Sequence, residues 1–216
     1  MAFDTHFNSL LIRPDILNRF EFKSLFGSSN PVELELGSGD GSFMLQYAAL
    51  HPETNFLAVE RLLGRLRKVD RKGNRLGLRN VRGLRMEAAY LMEWMLPPEC
   101  LTGLHIYFPD PWPKKRHLRR RLVNDFFAVL AGRALVPGGR IHCRTDDLDY
   151  FNQMTRVFDS AAGFVRGVEP LGLLEVKTDF EVSFNAQGIS TLHGTWIRLK
   201  EANEEVNSTG GEQVMA

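Results

Sequence analysis

The chain has 216 residues, 44% of them hydrophobic and 25% charged, with a formal net charge of +1. This length and composition fit one globular domain with a sizeable core. No apolar run approaches the roughly 20 residues of a membrane span, and the first residues lack the pattern of a signal peptide. Cys100 and Cys143 are far apart and form no motif, so we expect a cytoplasmic protein without a bound metal.

The first 30 residues mix aromatic with polar side chains, and the apolar run Leu10–Ile12 is too short to assign. We interpret residues 1–30 as an N-terminal arm that packs on the domain. The arm ends at the loop signal Gly27–Pro31.

A strand, a glycine turn and a helix follow in that order. Val32–Leu36 alternates as a strand, Gly37–Gly41 comes directly after it, and apolar residues between 43 and 48 mark the helix. This unit opens many nucleotide-binding α/β sheets, because glycines let the backbone approach a ligand closely. The next predicted strand ends at Glu60, 25 positions after Glu35, about where an acid can bind ribose hydroxyls.

Residues 61–85 are strongly basic, with ten Lys or Arg and a single acid, Asp70. Leu62, Leu66 and Val69 recur on one side, which predicts a helix that carries the basic run. Such clustering favours a surface for a phosphate backbone. A solvated helix face is the plainer alternative.

Strands and helices continue to alternate beyond this run. The predicted strands cover Asn80–Met86, Leu104–Phe108 and Arg140–Arg144, and the predicted helices cover 91–96, 122–134 and 150–158. Pro137–Gly139 is expected to end the second of these helices. The alternation from 32 to 160 indicates an α/β fold with a doubly wound sheet.

The last third of the chain has weaker patterns. Residues 164–168 and 195–199 resemble strands. Between them, Thr178 to Glu181 has the spacing of a helix capping box, and Gly188 is placed to end that helix. Residues 201–216 are polar and lack aromatics, so we expect a disordered tail.

The segment Tyr107–Arg121 runs from the end of a buried strand through three prolines into six Lys or Arg in eight positions. Proline fixes φ and restricts the residue before it, so Asp110 and Trp112 are expected in a stiff, extended loop. In open α/β sheets, ligands bind at the carboxyl ends of the strands. The combination suggests chemistry on a polyanion. The alternatives are a solvated connection, a turn role for Asp110 and a packing role for Trp112.

Two motifs resemble known families. The turn from Glu35 through Gly41 resembles motif I of S-adenosylmethionine-dependent methyltransferases, since Ser42 stands where the third glycine of a nicotinamide fingerprint would fall. The segment Tyr107–His117 closely resembles the signature of the bacterial tRNA (guanine-N7-)-methyltransferases. The further matches that give a resemblance over about residues 31–199 are Glu60, Glu87-Ala88, Thr145-Asp146 and Thr178-Asp-Phe-Glu181.

The resemblance implies a Rossmann-like class I methyltransferase fold over residues 31–200, with a mostly parallel doubly wound sheet and a C-terminal antiparallel strand. It also implies methyl transfer from S-adenosylmethionine to N7 of a guanosine in the variable loop of tRNA. Guanine N7 has a free lone pair, so the reaction needs alignment of the reacting atoms and no general base. A monomer and a homodimer are both compatible with the sequence.

The resemblance also assigns residues. Asp110 is the expected catalytic acid, and its carboxylate would stabilise the charge that develops on guanine. The residues implied at S-adenosylmethionine are Glu35, Gly37, Gly39, Gly41, Glu60, Glu87, Ala88 and Asp110. Those implied to hold the tRNA substrate are Lys114, Asp146, Thr178, Asp179, Phe180 and Glu181. Those implied to contact its backbone or bases are Trp112, Lys115, Arg116, His117, Leu118, Arg119, Arg120 and Arg121.

Several plainer interpretations stay open. The family usually has Asp at the position of Glu87, and the plainer interpretation of Glu87 is a surface residue. Thr178 and Glu181 could only cap a helix, and Asp146 could only cap the helix after the fifth strand. For the whole chain, the alternatives are a dinucleotide-dependent oxidoreductase, a non-catalytic RNA-binding protein and a methyltransferase acting on another RNA.

Overall fold

Eight strands form one sheet in the computed structural model, which describes residues 9–13 and 15–200. The strands are β1 (Leu11–Ile12), β2 (Val32–Leu36), β3 (Asn55–Val59), β4 (Val81–Leu84), β5 (Leu101–Tyr107), β6 (Leu135–Thr145), β7 (Phe164–Arg166) and β8 (Leu192–Arg198). Their order across the sheet is β1-β4-β3-β2-β5-β6-β8-β7.

Helices connect most of these strands. They are α1 (Phe22–Phe26), α2 (Ser42–Leu50), α3 (Leu63–Arg75), α4 (Ala88–Tyr90), α5 (Asp125–Ala134), α6 (Leu148–Ser160), α7 (Leu171–Leu174) and α8 (Asp179–Ala186). A π-helical turn covers Leu91–Met95, and a 3-10 helix covers Lys115–Arg120. None of the helices in the described ranges combines the length and apolarity that a bilayer crossing requires.

The sheet is buried on both faces, as the strand β3 illustrates. Leu57 and Val59 belong to the core shared with α5 and α6, whereas Phe56 and Ala58 belong to the core shared with α2 and α3. Successive side chains of a strand point to opposite faces, so a strand buried on both sides is apolar throughout. This arrangement confirms the predicted doubly wound sheet.

The pairing directions also confirm the predicted topology. Neighbouring strands from β1 to β6 are parallel, and β8 is antiparallel to both β6 and β7. The chain leaves β2 towards β3 and β4 and then returns to β5 on the other side of β2. This reversal opens a crevice at the carboxyl ends of β2 and β5, where ligands bind in open α/β sheets.

Two local predictions need correction or completion. Pro137–Gly139 does not end a helix: α5 ends at Ala134 and β6 begins at once, because Leu135 already pairs with Leu101. A register shift between Leu101 and Gly103, with Gly138 at φ +84°, accommodates the proline inside the strand. The short run Leu11–Ile12 is a strand that pairs with β4.

The described part of the N-terminal arm packs on the domain. Leu10, Phe20 and Phe26 are buried, and the first of these lies in the core beside α3. Residues 1–8, Pro14 and the predicted tail 201–216 lie outside the described residues.

A close contact on β8 gives a stability prediction. A Cβ added to Gly194 would lie 2.7 Å from Cζ3 of Trp196 and closer still to Cη2 of the same ring. Trp196 is fully buried, and its Nε1 donates to Asp159 at 2.6 Å. The ring therefore cannot retreat without strain. We expect Gly194→Ala to lower the free energy of unfolding by about 1–3 kcal/mol, with a loss in Tm of about 2–4 °C per kcal/mol.

The control is Gly172→Ala, because a Cβ at Gly172 meets no atom within 4 Å over residues 9–13 and 15–200. That variant should keep the wild-type Tm or exceed it slightly. Differential scanning calorimetry on both variants makes the comparison, and equal Tm values for the two would contradict the packing argument.

Candidate functional site

The crevice begins with the turn that follows β2. Gly37, Gly39 and Gly41 all have positive φ, at 81°, 57° and 81°, which favours glycine. The turn is held against the end of β3, because the N–H groups of Gly37 and Ser38 both donate to the carbonyl of Val59, at 2.8 and 2.9 Å. A Cβ at Gly37 or Gly39 would meet no atom of the described residues within 4 Å. The space in front of the turn is therefore open to a ligand.

Glu35 lies at the base of this turn and is only 3% exposed. Its Oε2 and the hydroxyl of Ser38 are buried without a hydrogen-bond partner among the described residues. Burial raises the pKa of Glu35 to about 8, with Asp40 and Glu60 adding to the effect and Arg144 opposing it. A buried carboxyl in this state favours a cationic ligand, because a nearby positive charge would stabilise its ionised form.

Two further acids follow the neighbouring strands. Glu60 is buried after β3, and its Oε1 accepts from the N–H of Leu62 at 2.7 Å. Glu87 is exposed after β4, and its Oε2 caps α4 by accepting from the N–H of Tyr90 at 2.9 Å. Each carboxylate keeps its second oxygen for a ligand, although Arg65 lies 3.7 Å from that of Glu60. Glu87 is thus a surface residue with a capping role, and Ala88 begins the helix that it caps.

The loop after β5 has an unusual backbone. Phe108 and Trp112, each followed by proline, have φ values of 47° and 45° in place of the extended conformation that the sequence predicts. Bulky residues rarely adopt this region, and such strain persists only where the surroundings impose it. Asp110, between them, is exposed. The loop therefore presents this carboxylate from a constrained backbone beside the crevice.

Arg121 fixes the shape of this loop, which corrects its expected role on the RNA backbone. Its side chain is almost fully buried. Its Nε donates to the carbonyl of Pro111 at 2.6 Å, and its other nitrogens donate to Gln153 and Asp149 at 2.9 and 2.7 Å. With these partners in place, the guanidinium is not free to meet a phosphate.

The other cations of the run remain at the surface. The 3-10 helix Lys115–Arg120 has no buried residue, and the preceding Lys114 is exposed. Within it, His117 and Leu118 are half-buried. The guanidinium carbon of Arg120 lies 5.0 Å from the centre of the Trp112 ring, and His117 meets that ring edge-on at 5.7 Å. Trp112 is half-buried and already has two partners.

The predicted substrate segments have different local roles. Asp147, and not Asp146, caps α6 by accepting from the N–H of Tyr150 at 2.7 Å, so Asp146 is left exposed at the end of β6. Thr178 caps α8 as predicted, since its hydroxyl accepts from the N–H of Glu181 at 3.0 Å. Gly188 lies just beyond that helix with φ +77°.

Glu181 does not complete a capping box and is not open to a substrate. Its side chain is 3% exposed and contacts the fully buried Arg144 at 3.0 Å. Arg144 also meets Glu169 at 2.8 Å and donates to the carbonyls of Leu173 and Val176. The cluster of Arg144, Glu169, Glu181 and His193 ties the segment that carries α7 and α8 to β6. The position of this cluster predicts that Glu181 stabilises the predicted substrate-binding segment Thr178–Glu181 through its buried contact with Arg144.

The start of α8 lies close to the glycine turn. The N–H of Asp179 donates to the hydroxyl of Ser42 at 3.1 Å, so the beginning of α8 meets the beginning of α2. Phe180 is half exposed, and its ring centre lies 6.0 Å from that of Phe108. The structure therefore brings the glycine turn, the Asp110 loop and the α8 start to one edge of the sheet.

The sequence did not reveal Arg144, Glu169, His193 or the inward role of Arg121. One weak signal was available, because Arg144 ends the predicted strand Arg140–Arg144, in which the apolar residues Ile141 and Cys143 indicate burial. A charged residue in such a strand needs a buried partner. Its partners lie 25 and 37 positions further along the chain, a separation that no local pattern spans. Among the described residues, no three His, Cys, Asp or Glu side chains gather as a metal site would require.

Known proteins match this chain over most of its length. A family model described as "Putative methyltransferase" matches residues 29–191. A curated tRNA (guanine-N(7)-)-methyltransferase from Streptomyces avermitilis is 38% identical over 175 residues, which are 80% of this chain and 60% of the relative. One from Chromohalobacter salexigens is 34% identical over 181 residues, 82% of this chain and 74% of the relative. These matches confirm the resemblance carried by the sequence motifs.

The chain is shorter than several of these relatives. Its aligned part covers 60% of the Streptomyces avermitilis protein and 62% of one from Syntrophotalea carbinolica, so it spans less than two thirds of either. Among solved structures, the 16S rRNA methyltransferase KamB aligns with a TM-score of 0.60 and 17% identity, covering 83% of this chain and 93% of that one. At this identity the likeness shows the fold, which is that of class I methyltransferases.

The Arg144 cluster predicts a pH-dependent stability. Hydrogen bonds to Glu169 and Glu181 raise the pKa of His193 from 6.5 to about 9. Protonated His193 therefore stabilises the fold fully below about pH 6.5, and this contribution is lost as the pH rises through about 9. We expect the advantage of wild type over His193→Gln, in free energy of unfolding, to shrink by roughly 1–3 kcal/mol across that interval. Urea unfolding at several pH values measures it, and parallel pH profiles would refute the assignment.

Proposed function

Because this chain belongs to the tRNA (guanine-N(7)-)-methyltransferase family, we propose that it transfers a methyl group from S-adenosylmethionine to N7 of a guanine in tRNA. The target is a guanosine of the variable loop. The observation that carries the proposal is Oε2 of Glu35, which is buried beneath an open glycine turn and has no hydrogen-bond partner in the described part of the chain. We further propose that the enzyme works in the cytoplasm, where its tRNA substrate is found.

The residues at the crevice fit S-adenosylmethionine. Glu35 would pair with the positive charge at the methionine end. The hydroxyl of Ser38, three residues further along, is likewise without a hydrogen-bond partner among the described residues. The second oxygen of Glu60 suits a ribose hydroxyl, and the outer oxygen of Glu87 suits the adenine amino group. Gly37 and Gly39 leave room for the ligand to lie against the turn. When bound, the cofactor supplies the methyl group on a positively charged sulfur.

The chain's own contribution to the reaction is positioning and charge. Guanine N7 carries no proton, so its methylation needs no general base. Alignment of the reacting atoms therefore provides most of the acceleration. The ring becomes cationic as the methyl group arrives. Asp110 would stabilise that charge and accept hydrogen bonds from guanine N1–H and the 2-amino group. Arg121 holds the backbone beside Asp110, through the carbonyl of Pro111.

Contacts to the tRNA are proposed at two places along the same edge. Lys114 and the exposed cations of the 3-10 helix Lys115–Arg120 would meet its phosphates. Asp146, Thr178, Asp179 and Phe180 would line the opening into which the guanosine turns. Glu181 supports this lining through Arg144.

The activity is tested by methylation of tRNA followed by mass mapping of its nucleosides. Wild type with S-adenosylmethionine should yield 7-methylguanosine. Asp110→Ala removes the carboxylate from the reacting edge, so we expect the single-turnover rate to fall by about 10² to 10³. The affinity for tRNA should change by less than about tenfold, because the exposed cations are untouched. Asp110→Asn should also be slow, because the amide N–H of asparagine can face the N–H groups of guanine, and two donors cannot form a hydrogen bond.

Filter binding on the same preparations separates chemistry from docking. A near-normal rate for Asp110→Ala would make Asp110 a turn residue. A loss of binding as large as the loss of rate would make it a docking residue. Absence of 7-methylguanosine with wild type, or a different methylated nucleoside, would overturn the proposed function itself.

Glu35 predicts proton release on cofactor binding. With a pKa of about 8, its carboxyl is mostly protonated at pH 7. A bound sulfonium and ammonium favour the carboxylate, so binding lowers the pKa and releases up to about one proton. Isothermal titration in buffers of different ionisation enthalpy should therefore give different apparent enthalpies, and the affinity should rise with pH up to about 8. Nicotinamide dinucleotides should not bind.

Glu35→Gln should abolish this buffer dependence. The matched control is Glu33→Gln, two residues earlier on the same face of β2, where Glu33 contacts His105 at 2.7 Å. Its proton release should equal that of wild type. A buffer-independent enthalpy for wild type at pH 7 would exclude a protonated Glu35.

A further inference from the structure

We propose that the outward face of α3, together with Arg61 and Arg85, is a second binding surface for the phosphate backbone of the substrate RNA. The identification of the RNA as tRNA rests on the proposed function. None of these residues belongs to the RNA contacts that the family signature implies. We call this set of exposed cations the α3 surface, and its members are Arg61, Arg65, Arg67, Lys68, Arg71, Arg75 and Arg85.

The α3 surface starts at the edge of the sheet that carries the candidate site. Arg61 directly follows Glu60 at the end of β3, and Arg85 directly follows β4. The two are joined, because Nε of Arg85 donates to the carbonyl of Arg61 at 3.2 Å. From there α3 extends for 13 residues, or about 20 Å. The surface thus begins beside the proposed cofactor site and leads away from it.

The cations of α3 lie on one side of the helix. Arg67, Arg71 and Arg75 are exposed and four residues apart, so they stand in a row about 12 Å long. Lys68 is exposed beside this row. The opposite side, with Leu66 and Val69, is buried against the sheet. A row of this kind can follow successive phosphates of one strand.

In the part of the chain that the structure describes, acids do not neutralise this row. Asp70 points inward and accepts from the N–H of Leu10 at 2.7 Å and from Ser9 at 3.2 Å. Asp40 pairs with Lys72 at 2.7 Å and Glu60 lies 3.7 Å from Arg65. Within the described ranges, no carboxylate forms an ion pair with the four cations Arg67, Lys68, Arg71 and Arg75.

Unpaired like charges four residues apart destabilise a helix. A face that served only solubility would mix signs, as solvated helix faces usually do. A polyanion would remove the repulsion by neutralising the row and releasing its counterions. The charge pattern therefore fits a polyanionic partner.

The position of the α3 surface favours RNA over an anionic membrane. The exposed cations of Lys115–Arg120 follow β5, whereas the α3 surface follows β3 and β4, and the glycine turn after β2 lies between them. Cations thus flank the crevice on both sides. An RNA that crosses the crevice could contact both sides while its target nucleotide enters the middle.

The test compares wild type with the triple variant Arg67→Gln, Lys68→Gln and Arg71→Gln, in which glutamine preserves helix propensity. We expect tRNA to bind at least about tenfold more weakly. The slope of log affinity against log salt should fall by about 0.7 to 0.9 for each lost phosphate contact. The single-turnover methylation rate at saturating enzyme should be unchanged, because these contacts lie away from the reacting atoms. Tm should stay equal or rise, because repulsion is removed.

A control of equal charge change is Arg140→Gln, Arg156→Gln and Lys200→Gln, which neutralises three exposed cations on other parts of the chain. It should keep the wild-type affinity and salt slope. Wild-type affinity and slope in the α3 variant would overturn the proposal and make the row a solvated face. The proposal would also fall if the variant lost affinity only for vesicles of phosphatidylglycerol and phosphatidylcholine. Filter binding does not depend on methyl transfer, so failure of the proposed function would appear separately, in the nucleoside mapping.

Discussion

The buried guanidinium of Arg144 is the constraint on which the site depends. A fully buried cation is costly unless paired and hydrogen-bonded. Arg144 meets Glu169 and Glu181 and donates to the carbonyls of Leu173 and Val176. These acceptors all come from the segment after β7, so the charge can be satisfied only when that segment folds back onto β6. One desolvated side chain thereby fixes the position of α7 and α8.

The edge of the sheet that carries the candidate site depends on this constraint. The backbone carbonyl of Arg144 accepts from the N–H of Phe108 at 2.8 Å, where the strained loop begins. Through Glu181 the same residue supports the start of α8, and there Asp179 donates to Ser42 beside the glycine turn. Three segments far apart in sequence are therefore held by contacts that converge on β6. Alignment of reacting groups requires this rigidity.

The sequence predicted those features of the site that depend on local patterns. The glycine turn after Leu36, the acids Glu35 and Glu60 and the cap Thr178 follow from spacing over a few residues, and the structure has them there. It did not predict that Pro137 lies inside a strand, because pairing of Leu135 with Leu101 decides that point. It could not place long-range side-chain partners. Their choice depends on which charges the fold desolvates, and this is a property of the tertiary structure.

Arginines therefore have two different roles in this chain, one in the interior and one at the surface. Arg121 and Arg144 are buried, and their charges stabilise a loop and a segment through acceptors of the chain itself. The arginines of the α3 surface and of the 3-10 helix instead keep their charge at the surface, where we propose that it meets a phosphate backbone. The buried acids differ in the same way. At Glu181, His193 and Arg144 outweigh the effect of burial and lower the pKa of the carboxyl. At Glu35, burial dominates and raises the pKa. Because the fold directs Arg144 towards Glu169 and Glu181, Oε2 of Glu35 has no hydrogen-bond partner among the described residues and remains open to a positively charged ligand.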